Sequence, residues 1–167
     1  RDKVEAAFYE IIERCADVVR EKGLPFFPEG EFVGEDFIEN DGIILDEPVK
    51  MKITLRKYAE KMILDFDGTA GQAKGPINWP LDGRHYSKWL GAFFKAQIPG
   101  IIINEGVTDA FRCRIPKRTI LSSEFPAPVV SRMTCMLRMI SAYTVALAKA
   151  FDGEVVADMQ NIQLYGL

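Results

Sequence analysis

Residues 49–56 alternate strictly between apolar and polar side chains, and this alternation constrains the fold more than any other feature. Every second residue from Val49 to Leu55 is apolar, and lysines, a threonine and an arginine fill the other positions. Successive side chains of a strand point to opposite faces, so the pattern predicts a strand with one buried and one solvated face. A turn at residues 59–60 and a second strand over residues 61–67 complete a predicted β-hairpin.

A half-buried hairpin needs helices to cover its apolar face, and three segments have helical periodicity. Apolar residues recur at three- and four-residue steps over residues 4–19, with Asp2 as the predicted N-cap and Gly23 as the end of this amphipathic helix. Its apolar face requires cover, either from the core of this chain or from a partner subunit. Residues 84–97 predict a helix with an aromatic stripe, and residues 131–151 a long helix buried on most sides.

The remaining segments predict loops and short strands. Residues 24–48 contain glycines and prolines that break any period, so they are predicted to form a loop. The acidic run over residues 29–46 contains no basic residue, which suits either a solvated surface or a cation site. Residues 111–115 predict another strand and residues 122–128 an extended segment. The fold class is therefore α+β, with residues 1–167 forming a single domain or the central segment of a larger subunit.

Composition excludes several classes of protein. The chain is 48% hydrophobic and 27% charged, with a net charge of −3, which excludes intrinsic disorder and gives no basic field for nucleic acid or anionic membranes. No apolar stretch is long enough for a membrane span. The three cysteines form no CxxC motif, so a zinc site of the usual spacing is not predicted. Free thiols in a cytoplasmic protein are the expectation.

Few residues suit catalysis. His85 is the single histidine, so any Ser-His-Asp or Cys-His device depends on it, although a helix cap or a surface position is expected before a catalytic role. No P-loop or dinucleotide-binding motif is present. Asp65 and Asp67 are predicted to share one strand face, where they would bind a cation, share a proton or simply be solvated.

Four more polar residues are candidates for a site. Asn78, Asn104 and Glu105 lie in predicted tight loops, where polar side chains often cap backbone groups. Arg132 stands at the start of the last predicted helix, where it would face an anion or an acidic group of a partner. A structural role is expected for each of them before a catalytic one.

Seven local motifs, in this order and spacing, carry a resemblance to a known family. They are residues 28–32 (Pro-Glu-Gly-Glu-Phe), 46–49 (Asp-Glu-Pro-Val), 65–69 (Asp-Phe-Asp-Gly-Thr), 75–78 (Gly-Pro-Ile-Asn), 104–106 (Asn-Glu-Gly), 125–129 (Phe-Pro-Ala-Pro-Val) and 159–161 (Met-Gln-Asn). Together they resemble the hydantoinase B/oxoprolinase family, which includes B subunits of N-methylhydantoinases, the C-terminal part of 5-oxoprolinase and the α subunits of acetone carboxylases. The match runs from the first helix to the end and corresponds to the central portion of such a subunit.

The resemblance implies ATP-dependent chemistry for a larger assembly. It implies ketone carboxylation or hydrolysis of a hydantoin or oxoproline ring, on a small-molecule carbonyl substrate. It also implies ATP and a divalent metal (Mn, Mg or Zn) in the whole complex, a hydantoinase A-like partner and the remainder of the B-type subunit. The Asn-Asp-Pro motif implied to bind metal has no counterpart here, so no metal ligand, cofactor-binding or catalytic residue is carried over. The chain is expected to be inactive alone, or to be a non-catalytic assembly or binding module.

Three departures from the family pattern favour a divergent branch on the carboxylase side. Asp67 stands where the family has Thr in a DFTG motif. Residues 117–119 (Lys-Arg-Thr) replace an acidic-Gly-Ser turn. Residues 133–135 (Met-Thr-Cys) replace a polar signature common in hydantoinases.

Overall fold

A four-stranded mixed sheet and five helices make up the part of the chain that the structure, a computed structural model, describes (residues 2–154). This confirms the α+β prediction. The elements are α1 (Asp2–Val18), β1 (Gly30–Ile38), β2 (Val49–Tyr58), β3 (Lys61–Asp65), α2 (Gly83–Ser87), α3 (Trp89–Gln97), α4 (Gly106–Asp109), β4 (Arg112–Arg114) and α5 (Arg132–Ala150). A π-helical turn and a 3₁₀ turn follow α1 directly, and the motif at residues 159–161 lies outside the described residues.

The strands lie in the order β1-β2-β3-β4. The predicted hairpin is confirmed, since β2 and β3 pair antiparallel with Thr54 opposite Asp65. Strand β4 pairs parallel to β3, and Asp65 is opposite Arg114. The buried face of β2 is also confirmed, because Met51, Ile53 and Leu55 are almost fully buried. The other face is less solvated than predicted, since Thr54 is buried and Lys50, Lys52 and Arg56 are half-buried.

The prediction of a loop over residues 24–48 is wrong for residues 30–38, which form the edge strand β1. Gly34 pairs with Ile53 of β2. A Cβ at Gly34 would lie 1.9 Å from the carbonyl oxygen of Ala142, so the backbone of α5 needs a glycine there to approach the sheet. The glycine that suggested a loop is therefore a helix–sheet packing position.

Helix α5 covers β1 and β2 with small residues. Its fully buried stripe includes Met139, Ala142 and Ala146, whereas Met136 and Ile140, expected on its main face, are half-buried. The small alanines allow the close approach at Gly34. The long helix is thus confirmed, but its most buried stripe is rotated from the predicted one.

Other boundaries differ in ways that affect the candidate residues. The second predicted strand ends at Asp65, so Asp67 does not share a strand face with it. The predicted aromatic helix is divided into α2 and α3 at Lys88. The predicted extended segment at residues 122–128 contains a turn, in which the amide of Ala127 donates to the carbonyl of Glu124 over 3.0 Å.

Helix α1 only partly enters the core. It begins at Asp2, the residue predicted to cap it. Cys15 and Ala16 are its buried residues, while residues 2–11 are all exposed. Within residues 2–154, no helix is both long and apolar enough to cross a membrane.

Candidate functional site

Three loops meet at one end of the sheet, and we call them the loop cluster: residues 39–48, 72–78 and 124–131. The first joins β1 to β2, the second follows β3, and the third leads into α5. The amide of Ser131 donates to the carbonyl of Pro76 over 2.7 Å, which joins the second and third loops. Three of the seven family motifs fall wholly or mostly in this cluster, which makes it a candidate functional surface.

Asp41 holds the first loop to the second. Its carboxylate is 4% exposed and accepts hydrogen bonds from the amides of Ile43 (2.8 Å) and Ile44 (2.7 Å) in its own loop. It also accepts from the amides of Lys74 and Gly75, both at 2.9 Å. Hydrogen bonds from these amides, those of Ile44 and Gly75 above all, lower the pKa of Asp41 from 3.8 to about 2. The carboxylate is fully occupied by protein donors.

Gly75 is required for that contact. A Cβ at this position would lie 1.6 Å from the carbonyl oxygen of Asp41, so any side chain would separate the two loops. The sequence prediction did not single out Asp41. The signal that would have found it is the Asn-Asp-Gly sequence at residues 40–42, which is typical of a turn closed by an aspartate side chain.

Asn78 holds the second loop to the third. Its side chain is completely buried. The Oδ1 atom accepts from the amide of Ala73 at 2.8 Å. The Nδ2 atom lies 2.9 Å from the carbonyl oxygen of Ala73, 3.1 Å from that of Gly75 and 3.0 Å from that of Pro128. These contacts occupy its donors and acceptor and support a structural role.

The outer surface of the loop cluster exposes large apolar side chains among charged ones. Phe125 and Val130 are 98% and 82% exposed, and Ile43 and Leu45 are also exposed. Arg132 lies beside them at the start of α5, and it is exposed as well. A framework clamped by buried polar groups and covered by exposed apolar side chains is suited to contact with another polypeptide surface.

Asp65 lies away from this cluster and is neutralised by arginines. Its carboxylate, 1% exposed, pairs with Arg56 and with Arg114, whose Nη1 lies 3.3 Å away. Burial alone would raise the pKa of Asp65, but hydrogen bonds from Arg56 and the amide of Asp67 outweigh it, and the net shift is downward. The Asp67 carboxylate is exposed and lies 3.6 Å from Arg114. The two carboxylates therefore pair with guanidinium groups rather than leaving space for a cation.

The other candidates lie around α2 and α4. Asp82 caps α2 by accepting from backbone amides, and its Oδ1 lies 2.9 Å from Nδ1 of the half-exposed His85. Glu105 pairs with Lys88 at 2.6 Å, and the hydrogen bond from Lys88 lowers the pKa of Glu105. His85 thus lies half-exposed in the first turn of α2, which agrees with the predicted surface position, whereas Asp82 and not His85 caps the helix.

Asn104 joins α1 to α4. Its Nδ2 donates to the carbonyl of Ile11 at 3.1 Å, and its Oδ1 accepts from the amide of Gly106 at 2.8 Å. A Cβ at Gly106 would lie 2.0 Å from the carbonyl oxygen of Ile12, so α1 and α4 are in close backbone contact. The six candidates therefore fall into three separate places and form no single site.

Residues 2–154 do not fit a divalent metal. They contain no group of three or more His, Cys, Asp or Glu side chains placed to hold an ion. The two buried carboxylates, Asp41 and Asp65, are taken up by amides and guanidinium groups. Burial raises the pKa of the Cys113 and Cys135 thiols to about 12, so both are protonated and poor nucleophiles near neutral pH.

A polar cleft of about 330 Å³ lies beside α2. Its lining includes Arg84, Ser87, Thr108 and Cys113. The Ser87 hydroxyl donates to a backbone carbonyl within α2, and the Thr108 hydroxyl donates to the carbonyl of Glu105. The hydroxyls of this cleft thus serve the local backbone, and no nucleophile–base pair is formed there.

The family assignment rests on a match over almost the entire sequence. The profile of the hydantoinase B/oxoprolinase family covers residues 1–165. The chain belongs to this family. The resemblance carried by the seven motifs is thereby confirmed. No curated protein matches the chain.

Two solved structures share the fold of this hydantoinase B-family chain. The ATP-dependent caprolactamase from Pseudomonas jessenii superposes with a TM-score of 0.72 at 24% identity, over 89% of this chain and 25% of the caprolactamase chain. A nucleotide-free acetone carboxylase superposes with a TM-score of 0.63 at 17% identity, over 83% of this chain and 20% of the carboxylase chain. This chain thus spans only a quarter or less of either relative.

Proposed function

We propose that this chain is a structural portion of a B-type subunit in an ATP-dependent carbonyl-activating enzyme and that it is inactive alone. The observation that carries the proposal is the combination of family membership over residues 1–165 with the small share of the solved relatives that the chain spans. In this proposal the complete site also requires the portion of a B-type subunit that this chain does not span. The active assembly would therefore contain the remainder of the B-type subunit and a hydantoinase A-like partner, in the cytoplasm.

The proposed chemistry is acetone carboxylase-like ketone carboxylation, or hydrolysis of a hydantoin or oxoproline ring. In either case ATP would phosphorylate a carbonyl-derived oxygen of a small substrate and make it reactive. The nucleotide would be held by the A-like partner. A divalent metal would be held outside residues 2–154, because the carboxylates buried in this part are already paired.

Within that assembly this chain would supply framework and contact surface. Asn78 would position the loops of the loop cluster, and Asn104 would position α1. Asp65 would hold the strands of the sheet together through its arginine partners. The exposed side chains of His85, Glu105 and Arg132 are the ones able to reach another subunit or a substrate. We assign none of them to a chemical step.

A second candidate function is a non-catalytic assembly or binding module derived from the same family. The observation that favours it is that the buried polar candidates are engaged by the backbone or by arginines of this chain. In this case the loop cluster would bind a protein partner and no ATP-dependent reaction would depend on it.

Native mass spectrometry of the complex from its source, followed by turnover assays, tests both candidates. The purified chain is incubated with ATP and either ketone plus bicarbonate, a hydantoin or a lactam, and phosphate release is compared with that of the purified complex. Turnover by the complex and none by the chain alone is the expected result. ATP-dependent turnover by the isolated chain would contradict the first proposal, and an inactive complex in all three assays would favour the second.

A further inference from the structure

Strand β1 lies at one edge of the sheet, and alternate residues direct their backbone groups away from it. In β2, Lys52 bonds to the Thr69 hydroxyl on the β3 side, through its amide at 3.1 Å and its carbonyl at 3.0 Å. Backbone groups alternate in direction along a strand, so residues 51, 53, 55 and 57 face β1 and pair with residues 36, 34, 32 and 30. The outward-facing backbone groups of β1 are therefore those of Glu31, Val33, Glu35 and Phe37.

This outer edge is long enough to accept another strand. Strand β1 has nine residues, and within residues 2–154 it pairs with β2 alone. A row of outward amides and carbonyls is a template on which a strand of another molecule can add, with aggregation as the result. A chain with such an edge needs a feature that prevents this pairing.

Lys149 of α5 occupies one of the outward groups. Its Nζ donates to the carbonyl oxygen of Val33 at 2.7 Å. Helix α5 is fixed close above the strand, because a Cβ at Gly34 would lie 1.9 Å from the carbonyl oxygen of Ala142. A strand that pairs at Val33 would have to displace an ammonium group, whose charged hydrogen bond is stronger than that of a backbone amide.

Asp36 occupies a second outward group. Its Oδ1 accepts from the amide of Phe37 at 2.8 Å, and its Oδ2 lies 3.3 Å from Nη1 of Arg138. Arg138 and Lys149 are eleven residues apart on α5, a spacing that places them on the same side of the helix. One side of α5 therefore holds both contacts at the edge of the sheet.

We infer that Lys149 and Asp36 close the outer edge of β1 against pairing with the same edge of a second copy of this chain. In an antiparallel pair, each hydrogen-bonded residue uses both its amide and its carbonyl. The carbonyl is occupied at Val33 and the amide at Phe37. Pairing is thus interrupted on both sides of Glu35. This inference goes beyond the proposed function and does not depend on it, because it concerns the association of the chain and no chemical step.

Replacing both side chains tests the inference. Lys149→Met keeps the length of the side chain and removes its ammonium group, and Asp36→Ala removes the acceptor. In sedimentation velocity on the 167-residue chain, the double variant is expected to self-associate at least about tenfold more tightly than the wild type, because a second copy gains hydrogen bonds at both positions. Self-association no tighter than that of the wild type overturns the inference.

Amide exchange followed by NMR locates the contact. The amides of Val33 and Glu35 are expected to exchange at least about tenfold more slowly in the associated double variant than in the wild type. Association without slower exchange at these amides would place the contact elsewhere and refute the inference. Slow exchange of both amides in the wild type would refute it as well, since the edge would already be paired.

Lys95→Met is the matched control. Lys95 also donates to a backbone carbonyl, that of Ile101 at 2.8 Å, but it lies on α3 and not at the sheet edge. This variant should associate no more tightly than the wild type. Equal association of Lys95→Met and Lys149→Met would assign the effect to lost charge and overturn the inference.

Lys149→Arg retains a charged donor and should behave like the wild type, whereas association as tight as that of Lys149→Met would contradict the role of the donated hydrogen bond. Circular dichroism and urea unfolding establish that each variant is folded. If the double variant does not fold, Lys149→Met and Asp36→Ala are measured singly, each opening one outward group, and the same outcomes apply.

Discussion

Replacing Asp41 with asparagine tests whether the loop cluster is held by one buried carboxylate. The substitution preserves the shape of the side chain and removes its charge. One carboxylate oxygen accepts from the amides of Ile43 and Ile44, and the other accepts from those of Lys74 and Gly75. The asparagine amide group can replace only one of these oxygens as an acceptor, so one pair of amides would face an NH₂ group instead.

The expected loss follows from the contacts that disappear. Hydrogen bonds to a charged group each contribute about 1.5–3 kcal/mol, so losing two partly buried ones is expected to lower the free energy of unfolding by about 3 kcal/mol. The lowered pKa of Asp41, about 2, gives an independent value for the charge-dependent part. The difference between the two pKa values corresponds to a contribution of about 2 kcal/mol to the free energy of unfolding. Solvent screening of the carboxylate charge near the loop surface reduces this contribution to about 1–2 kcal/mol.

The pH dependence of stability distinguishes the charge from other effects. Folding lowers the pKa of Asp41 from 3.8 to about 2, so its contribution is complete above pH 3.8 and is lost as the pH falls through about 2. Urea unfolding of the wild type and of Asp41→Asn between pH 6 and pH 2 measures the difference in free energy. We expect this difference to be largest above pH 4 and to shrink by about 1–2 kcal/mol toward pH 2.

Asp46→Asn is the matched control, since Asp46 lies in the same loop and is exposed. A surface substitution of this kind should change the free energy of unfolding by less than about 0.5 kcal/mol. If both variants lost the same stability, or if the Asp41→Asn difference stayed constant down to pH 2, the carboxylate would not be what holds the loops together.

Three further predictions concern Asn78, Gly34 and a cysteine. Asn78→Ala should lower the free energy of unfolding by about 2–4 kcal/mol, because it leaves buried backbone groups without partners. It should also weaken assembly of the complex more than it lowers turnover by the assembled complex. Normal assembly with abolished turnover would contradict this. Gly34→Ala should lower the free energy of unfolding in urea by at least about 3 kcal/mol, because the added Cβ overlaps the backbone of α5. The control Gly71→Ala should lower it by less than about 1 kcal/mol, because a Cβ there meets no atom closer than 3.9 Å. Equal losses in the two variants would refute the packing explanation. Cys135 should react with a thiol reagent at pH 8 only in denaturant, because burial raises its pKa to about 12, and rapid labelling of the folded chain would show an accessible thiolate.

Local periodicity predicted most elements of the fold. The hairpin of β2 and β3 and the long helix α5 follow from alternation and from three- and four-residue spacing, which are properties of short segments. Strand β1 was missed because Gly34 was interpreted as a loop residue. Its role depends on Ala142, more than a hundred residues away, and no local pattern contains that distance.

The candidate site was less predictable than the fold. The sequence singled out Asn78 and Asn104 as capping residues, and their hydrogen bonds to backbone groups agree with that interpretation. It did not single out Asp41, although the Asn-Asp-Gly sequence is a turn signal. An aspartate within an acidic run is expected to be solvated, and the amide donors that bury Asp41 come from a second loop that is distant in sequence. The strand face expected for Asp65 and Asp67 was wrong because β3 ends at Asp65.

The sequence by itself determined the α+β class, the amphipathic and strand periodicities, and, through the order of its motifs, the family. These depend on spacing along the chain, which is visible without coordinates. The fold in three dimensions decided which polar groups are buried and paired, and which apolar residues of α1 are exposed within residues 2–154. Burial and pairing depend on contacts between segments far apart in sequence, so the same aspartate can be a solvated charge or the clamp of two loops.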